Sequence, residues 1–457
     1  MVSKKFNQVF FDNNKSVNVD ELFDLKPLGT KKHKELVLFV ADQSIDCYLA
    51  YYYLLKSNFA VIMIDAKIEK NALNEIMCRY QPNYLILPKV KIFNERNLKI
   101  ISEYESYLFL DCNNQNLEIN STLKFLIPTS GTTGVQKFVK LSEQNIQVNT
   151  QDIIDYLSIT DCDIAPTTLP LSYSYGMSVV NSHLHAGASI FINNLSLMER
   201  NFVSDLKNAS VTNINGVPTF WEFAKRMRFF KSIPSTVRFV TQAGGHLSSK
   251  TVAELHETCI DRDILFYVMY GQTECSPRMS YLNVNQHPKK IGSIGRPINS
   301  GSFNLIKRKD ILEKESGELS YKGPNVGMGY STGWKDLNQK NKWNGEISTG
   351  DIAKVDSDGF YYITGRLKRI CKIAGIRIDL DACQLQLKKA TGVDNLAIVG
   401  NDDYLHIFST ETLNIDDLKK FMIINYAITS TKIVYTQLGQ FPMNNGKISL
   451  RELGTMI

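Results

Sequence analysis

The chain has 457 residues, 43% of them hydrophobic and 21% charged, which is enough for about two to four domains of an ordinary globular protein. Its 52 basic and 46 acidic residues leave a net charge of only +6 without an arginine-rich arm, which argues against nucleic acid as the main partner. No apolar run is long enough to span a membrane, and the N-terminus lacks the apolar core of a signal peptide, so we expect a cytoplasmic protein. The eight cysteines form no C-x-x-C pair, so we expect neither structural disulfides nor a zinc site.

Short apolar runs alternate with helix-like stretches over residues 35–269. This alternation is typical of parallel sheets covered by helices. In chain order we predict strand 36–41, helix 44–55, strand 60–64, helix 73–80 and strand 84–87, and then further strands at 188–192, 237–241 and 265–269.

The pattern changes in the last third of the chain. Residues 299–363 contain strand-like runs separated by glycine turns, which predicts a β-rich subdomain. A small α+β region follows, and the basic, glycine-bounded stretch 365–375 has the composition of a hinge. We therefore predict two domains, 1–365 and 366–457.

Residues 129–137 read Thr-Ser-Gly-Thr-Thr-Gly-Val-Gln-Lys and directly follow the apolar run 124–128. Glycines let backbone N–H groups approach an anion, hydroxyls donate further hydrogen bonds, and Lys137 adds a positive charge. The loop therefore suits the phosphates of a nucleotide, although it lacks the Gly-Lys-Ser/Thr of a Walker loop. A flexible surface loop is the alternative for such a segment taken alone.

Further motifs follow in a fixed order. Tyr-Gly-Gln-Thr-Glu at 270–274 comes after the apolar run 264–269, and the carboxyl end of a strand is where open α/β sheets bind ligands. Each motif taken alone could be a simple turn. The later ones are Thr349-Gly350-Asp351, Gly365-Arg366, Lys372 with Gly375-Ile376-Arg377-Ile378, and Asn445-Gly446-Lys447.

Together these motifs make the chain resemble the adenylate-forming superfamily, which comprises acyl-CoA synthetases, adenylation domains of peptide synthetases, and luciferases. The resemblance covers essentially the whole chain. It implies an α/β fold with a large N-terminal domain, built of two α/β subdomains plus a β-barrel-like subdomain, and a small mobile α+β C-terminal domain. The domain 1–365 would then bind ATP and the acid, and 366–457 would be the mobile domain.

The resemblance also implies an ATP site. The phosphate loop would handle the β- and γ-phosphates, the segment 243–246 and Tyr270 would enclose adenine, Asp351 would accept the ribose hydroxyls, and Arg366 would reach ribose or phosphate. The implied cofactor-binding residues are Thr129, Ser130, Gly131, Thr132, Thr133, Gly134, Lys137, Gly244, Gly245, His246, Tyr270, Gly271, Asp351, Ile363, Arg366 and Lys372.

Three residues are implied to be catalytic. Thr273 resembles the residue that contacts the α-phosphate, and Glu274 resembles the Mg²⁺ ligand, a hard carboxylate suited to a hard cation. Lys447 matches the lysine that bridges the acyl carboxylate and the α-phosphate. Taken alone, Asn-Asn-Gly-Lys would favour a surface turn instead.

The segment 169–176 resembles the acyl-pocket motif of the superfamily and contributes Tyr173, Ser174 and Gly176, with His246 as a further wall. A core tyrosine is the alternative for Tyr173. No acidic residue occurs between positions 169 and 192, which weakens an α-amino-acid substrate. Asn181, His183 and His185 are polar candidates for the same wall, and satisfied core or surface groups are the alternative for them.

The resemblance implies ATP- and Mg²⁺-dependent activation of a small carboxylic acid, followed by transfer of the acyl group to CoA. The alternative is a stand-alone enzyme that loads the phosphopantetheine arm of an acyl carrier protein. A non-catalytic nucleotide-binding protein is a third reading, disfavoured because Lys137, Glu274, Asp351, Arg366 and Lys447 are all present. The sequence does not identify the acid.

Overall fold

The computed structural model describes residues 8–19, 33–91, 98–114, 117–129, 137–307, 315–366, 370–374, 376–393, 395–401, 403–444, 447–448 and 450–457. Contacts between Cα atoms divide the chain into two compact units. Among the described residues, the first unit holds those up to 129, 137–349 and 353–364, and the second holds 350–352 and those from 365 onward. The roles predicted for domains 1–365 and 366–457 stay predictions.

The first 142 residues supply most of an eight-stranded sheet. Every side chain of the first strand after residue 33 is buried, as expected for a strand covered on both faces by helices. The elements are β1 (Val9–Phe11), β2 (Ser16–Asn18), β3 (Leu36–Ala41), α1 (Ile45–Lys56), β4 (Ala60–Asp65), α2 (Lys70–Tyr80), β5 (Tyr84–Pro88), β6 (Lys99–Tyr104), β7 (Tyr107–Asp111), β8 (Leu123–Pro128) and β9 (Phe138–Ser142).

The predicted order of strands and helices over residues 36–88 is confirmed. Helix α1 begins one residue later than predicted, because Ser44 lies outside the helix as its N-cap and accepts a hydrogen bond from the Cys47 N–H group. Strand β3 pairs in parallel with β4 and β5, and β4 pairs in parallel with β8. The carboxyl end of β8 is therefore at the edge of the sheet where ligands of α/β folds bind.

The middle of the chain forms a second, five-stranded sheet. Its order is β12-β13-β14-β15-β16, with the first three strands parallel and β15 antiparallel to β14. A smaller sheet has the order β10-β11-β1-β2. The elements are α3 (Glu143–Leu157), β10 (Ile164–Pro166), α4 (Ser174–His185), β11 (Ser189–Phe191), α5 (Phe202–Asn208), β12 (Asn213–Gly216), α6 (Pro218–Arg226), β13 (Phe239–Gln242), α7 (Ser249–Ile260), β14 (Leu265–Gly271), β15 (Arg278–Asn283) and β16 (Arg296–Pro297).

In the β-rich region predicted for 299–363, the described residues form five strands. Four of them form a sheet in the order β17-β18-β20-β21, and β19 instead pairs with β9 at the edge of the eight-stranded sheet, whose order is β19-β9-β8-β4-β3-β5-β7-β6. The strands are β17 (Ser302–Ile306), β18 (Ser316–Lys322), β19 (Gly329–Ser331), β20 (Glu346–Val355) and β21 (Tyr361–Arg366).

The second unit has its own apolar core, to which strands β24 and β25 contribute Leu396, Ile398 and Ile407 and helix α9 contributes Leu418 and Met422. Its three-stranded sheet has the order β24-β25-β26. The elements are β22 (Ile370–Ile373), β23 (Ile376–Asp379), α8 (Leu380–Thr391), β24 (Leu396–Gly400), β25 (Leu405–Ser409), α9 (Ile415–Tyr426), β26 (Ile433–Gln437), β27 (Met443–Asn444), β28 (Lys447–Ile448) and α10 (Leu450–Gly454).

The chain thus has an α/β fold with several sheets and a separate α+β unit at its C-terminal end. Among the helices of the described residues, none combines the length and the apolar character that a membrane crossing requires.

Candidate functional site

The two ends of the predicted phosphate loop meet at the carboxyl end of β8. Strands β8 and β9 are antiparallel, with Pro128 opposite Phe138. The N–H group of Thr129 donates to the carbonyl oxygen of Lys137 over 3.1 Å, which closes the neck of the loop. The Lys137 side chain is exposed. The other predicted loop residues lie outside the described residues: Ser130, Gly131, Thr132, Thr133 and Gly134.

The second motif follows the carboxyl end of β14. Gly271 lies opposite Arg278 of β15, where the register of the two strands shifts. A Cβ atom at Gly271 would lie 1.8 Å from the carbonyl oxygen of Pro277, so only glycine allows the chain to double back this closely. The turn between the strands carries Thr273 and Glu274. Both residues are therefore held on a rigid strand connection.

Glu274 is tied to the strand beside the neck of the phosphate loop. Its Oε1 atom accepts a 2.6 Å hydrogen bond from the Tyr330 hydroxyl, and its carbonyl oxygen accepts one from the Gly327 N–H group. Tyr330 lies on β19 directly opposite Val139 of β9. Because β9 begins next to Lys137, the structure brings the predicted Mg²⁺ ligand to the neck of the predicted phosphate loop.

The donor set at Glu274 fits a metal that receives most of its ligands from a substrate. Within the described ranges no group of three or more His, Cys, Asp or Glu residues could hold a metal ion. A single carboxylate is typical of Mg²⁺ sites in which phosphate oxygens and waters complete the octahedron. The arrangement thus suits a Mg²⁺–nucleotide complex better than a metal bound by protein alone.

The first turn of α4 meets the turn that carries Thr273. The Ser174 hydroxyl lies 3.0 Å from the Thr273 hydroxyl. A Cβ atom at Gly176 would lie 2.2 Å from the carbonyl oxygen of Pro170, so the helix packs directly on the segment before it. The predicted α-phosphate residue and the predicted acid-pocket residue are therefore neighbours.

Tyr173 connects this turn to the glycine pair after β13. Gly244 has a φ of 84°, and a Cβ atom on it would lie 2.4 Å from the Tyr173 hydroxyl. Burial raises the pKa of that hydroxyl. The Tyr173 side chain is thus neutral and lies against glycine backbone, and its role as a wall of the acid pocket stays a prediction.

The predicted adenine wall is only partly assembled by contacts within the described residues. Gly245 and His246 are exposed, and the Gly245 carbonyl oxygen accepts a hydrogen bond from the Gln242 side chain. Tyr270 packs edge-on against Phe303 with ring centroids 6.2 Å apart, in the same apolar cluster as Ile363. One side of the Tyr270 ring is therefore held by the apolar cluster around Phe303.

The remaining predicted site residues belong to the second unit. Asp351 lies on β20 and is 4% exposed, and Lys372 of β22 lies opposite Arg377 of β23. Arg366 ends β21, and Lys447 begins β28; their side chains lie outside the described ones. All four remain candidates on the strength of the sequence.

Two of the polar candidates on α4, Asn181 and His183, bond to core residues instead. Asn181 accepts a hydrogen bond from the Tyr51 hydroxyl, and His183 lies between Asn213 and the Val179 carbonyl oxygen. His183 is nine residues beyond Ser174, about 13 Å along a helix. Asn181 and His183 are therefore polar core residues whose hydrogen bonds are satisfied inside the fold.

Sequence reasoning missed two residues, Tyr330 and Arg278. Tyr330 follows Glu274 by 56 positions, and only the β9–β19 pairing brings the two together. Arg278 is a charged residue at the start of the buried strand β15, four positions after Glu274. A charged residue at the start of an otherwise mostly apolar run is the feature of the sequence that distinguishes it.

The family model for AMP-binding enzymes matches residues 25–331 of this chain. The 2-succinylbenzoate–CoA ligase of Enterococcus faecalis is 27% identical over 281 residues, which is 60% of this chain and 56% of the relative. Bacitracin synthase 3 of Bacillus licheniformis is 26% identical over 441 residues, 92% of this chain and 7% of the relative. The chain thus spans little more than half of the Enterococcus ligase and a small part of the synthase.

Among solved structures, a double mutant of o-succinylbenzoate CoA synthetase from Bacillus subtilis, bound to a product analogue, has a TM-score of 0.71 at 19% identity. The match covers 98% of this chain and 96% of that one, and it shows the shared fold. The family match covers well over half of the sequence and includes the loop 129–137, Thr273 and Glu274. The chain belongs to the family of AMP-binding enzymes.

Proposed function

We propose that this chain activates a carboxylic acid with ATP and then transfers the acyl group to the thiol of CoA. The observation that carries the proposal is the approach of Glu274, through Tyr330, to the strand that leaves the phosphate loop. The contact of Thr273 with Ser174 adds an acid-pocket wall to the same turn. The named CoA ligase among the relatives supports the choice of acceptor.

In the first step a carboxylate oxygen of the acid bonds to the α-phosphorus while the bond to pyrophosphate breaks, giving an acyl-adenylate. The carboxylate is already ionised at neutral pH, so this step needs no general base. The difficulty is the approach of two anions, which positive charge at the α-phosphate relieves. We assign this charge to Lys447 and to Mg²⁺ held by Glu274, with Thr273 donating to the α-phosphate.

The loop 129–137 would hold the leaving pyrophosphate. Its hydroxyls and backbone N–H groups suit phosphate oxygens, and exposed Lys137 can turn toward them. On the same proposal Gly244, Gly245 and His246 face adenine, and Asp351 accepts the ribose hydroxyls. The thiol of CoA, as its thiolate, then attacks the acyl carbon and AMP leaves.

The choice of acceptor has one competitor. It is a carrier protein, whose phosphopantetheine arm would supply the thiol in place of CoA. Both acceptors present the same phosphopantetheine thiol, so the first step is common to them. Thioester formation with CoA, compared with formation on a panel of carrier proteins, decides between the two.

Acid-dependent exchange of pyrophosphate into ATP, measured across a panel of carboxylic acids, tests the first step. We expect Lys447→Ala to reduce exchange about 100-fold or more while ATP binding stays within a few fold, because the lysine acts on the reacting atoms. Lys420→Ala, an exposed lysine of α9 in the same unit, is the matched control. Undiminished exchange in Lys447→Ala would refute its role, and no exchange with any acid would refute the function.

A further inference from the structure

Arg278 is a charged side chain inside the first unit. It is 2% exposed and is among the largest fully buried side chains of the described residues. It lies opposite Gly271 at the start of β15, four residues after Glu274. A cation is thus buried directly beside the turn that carries the proposed catalytic residues.

Among the residues that the structure describes, the guanidinium group has an aromatic neighbour and no anionic one. Its central carbon lies 4.0 Å from the ring centroid of Tyr175, in the first turn of α4. Its Nε atom is buried without a hydrogen-bond partner, and the ion pairs found among the described residues do not include Arg278. The tyrosines around it are neutral, and burial raises the pKa of Tyr175 to about 12.

The other buried cations of the first unit are satisfied by the fold. Lys124 donates to the carbonyl oxygens of Leu54 and Ser57. Lys140 donates to the carbonyl oxygen of Asp336 over 2.9 Å. Both lysines donate to backbone carbonyl groups, whereas the Nε atom of Arg278 has no hydrogen-bond partner among the described residues.

An arginine cannot escape this situation by losing its proton. A buried, unpaired charge strongly destabilises a fold, and a single aromatic ring compensates only part of that cost. The backbone of Arg278 is nevertheless held firmly, since Asn149 bonds to both its N–H and its carbonyl group. The fold therefore holds the backbone of a cation that has no anionic partner among the described residues, and a firmly held backbone is what an anion-binding side chain requires.

We propose that Arg278 binds a second carboxylate of the acid substrate, distinct from the carboxylate that reacts with ATP. This inference rests on the proposed function and names its substrate class, dicarboxylic acids. The fork of N–H donors on a guanidinium matches a carboxylate with two parallel hydrogen bonds. The reacting carboxylate is not its partner, because a bidentate arginine would stabilise that nucleophile before the reaction.

Four proteins test the proposal: wild type, Arg278→Met, Arg278→Lys and Arg226→Met. Arg226 is also stacked on a ring, that of Phe223, but is exposed, so it is the matched control. The probes are acid pairs that differ by one carboxylate: pentanoate and glutarate, hexanoate and adipate, benzoate and isophthalate. Dissociation constants are measured by calorimetry with a non-hydrolysable ATP analogue, which makes the readout independent of turnover.

We expect the wild type and Arg226→Met to bind at least one diacid about tenfold or more tightly than its monoacid partner. Arg278→Met should weaken that diacid about 100-fold and leave the monoacid within about threefold. Arg278→Lys should recover part of the preference, because the charge remains. The ligand-free Arg278→Met protein should melt at the wild-type temperature or above it, because an unpaired buried charge has been removed.

Equal binding of monoacids and diacids by the wild type would overturn the proposal. So would an equal loss of both in Arg278→Met together with a lower melting temperature, which would identify a structural residue. The proposed function fails separately: a diacid preference by calorimetry with no pyrophosphate exchange would refute adenylation and support the assignment of Arg278.

Discussion

His183 offers a prediction whose size follows directly from its surroundings. The ring is 1% exposed, its Nδ1 atom lies 2.8 Å from the Val179 carbonyl oxygen, and its Nε2 atom lies 2.9 Å from the Asn213 side-chain nitrogen. A proton on Nδ1 that donates to the carbonyl, with Nε2 accepting from the amide, satisfies both contacts. Burial lowers the pKa of His183 from 6.5 to about 4.

The sign follows from the direction of this shift. The folded protein holds the ring neutral, whereas the unfolded chain binds a proton below about pH 6.5, so acid favours unfolding. The contribution of His183 is complete above about pH 6.5 and is lost as the pH falls toward 4. For each pH unit below the unfolded pKa of about 6.5, the free energy of unfolding falls by about 1.4 kcal/mol. At pH 5 the loss of stability is therefore about 2 kcal/mol.

Urea unfolding at pH 7.5 and pH 5.0, followed by tryptophan fluorescence, measures this loss. All three tryptophans, Trp221, Trp334 and Trp343, lie in the first unit with His183, so the signal reports that unit. We expect His183→Gln to lose about 2 kcal/mol less than the wild type between the two pH values. His185→Gln, an exposed histidine of the same helix, should lose as much as the wild type.

A direct titration removes the dependence on unfolding. The ring of His183, followed by NMR with labelled histidine, should stay neutral down to about pH 5. A ring pKa near 6.5, or the same loss of stability in His183→Gln and wild type, would refute the reasoning from burial.

Further predictions concern the turns after β13 and β14. Tyr330→Phe removes the hydrogen bond to Glu274, and we expect the Mg²⁺ concentration for half-maximal pyrophosphate exchange to rise about tenfold. The rise should be larger in Glu274→Ala. An unchanged Mg²⁺ dependence in both variants would contradict the assignment of Glu274 as the metal ligand. Gly271→Ala should lower the melting temperature by several degrees and abolish exchange, because its methyl group would collide with the Pro277 carbonyl oxygen. A fully active and equally stable variant would disprove the close approach of Gly271 to Pro277. Gly244→Ala should impair pyrophosphate exchange, because alanine is strained at the positive φ of this position and its methyl group would collide with the Tyr173 hydroxyl. Adding Tyr173→Phe should restore the part of the activity that the collision removes. Strict additivity in this double-mutant cycle would show that the two residues do not touch.

The parts of the fold that the sequence predicted are those set by local pattern. The alternation of short apolar runs with helix-like stretches predicts strand β3 and helix α1, and Ser44 lies one residue outside the helix because its hydroxyl caps it. The glycines of the site were also predictable, since a close backbone approach such as that at Gly271 permits no side chain.

What the sequence could not predict depends on strand pairing. Tyr330 reaches Glu274 only because β19 joins the edge of the eight-stranded sheet next to β9, and no local pattern near either residue encodes this register. The same limit explains Asn181 and His183. Their polarity suggested a pocket wall, but Tyr51 and Asn213, which are distant in sequence, satisfy them inside the core.

His183 and Arg278 therefore illustrate two outcomes of the same physical problem. Each is a basic side chain placed in a low-dielectric interior, where a charge must be removed or paired. His183 can give up its proton and find neutral partners, so its burial is fully explained by the fold. Arg278 cannot give up its charge and has no anionic partner among the described residues. On our proposal the anion that pairs with Arg278 is the second carboxylate of the substrate, and this would account for a buried arginine close to Glu274.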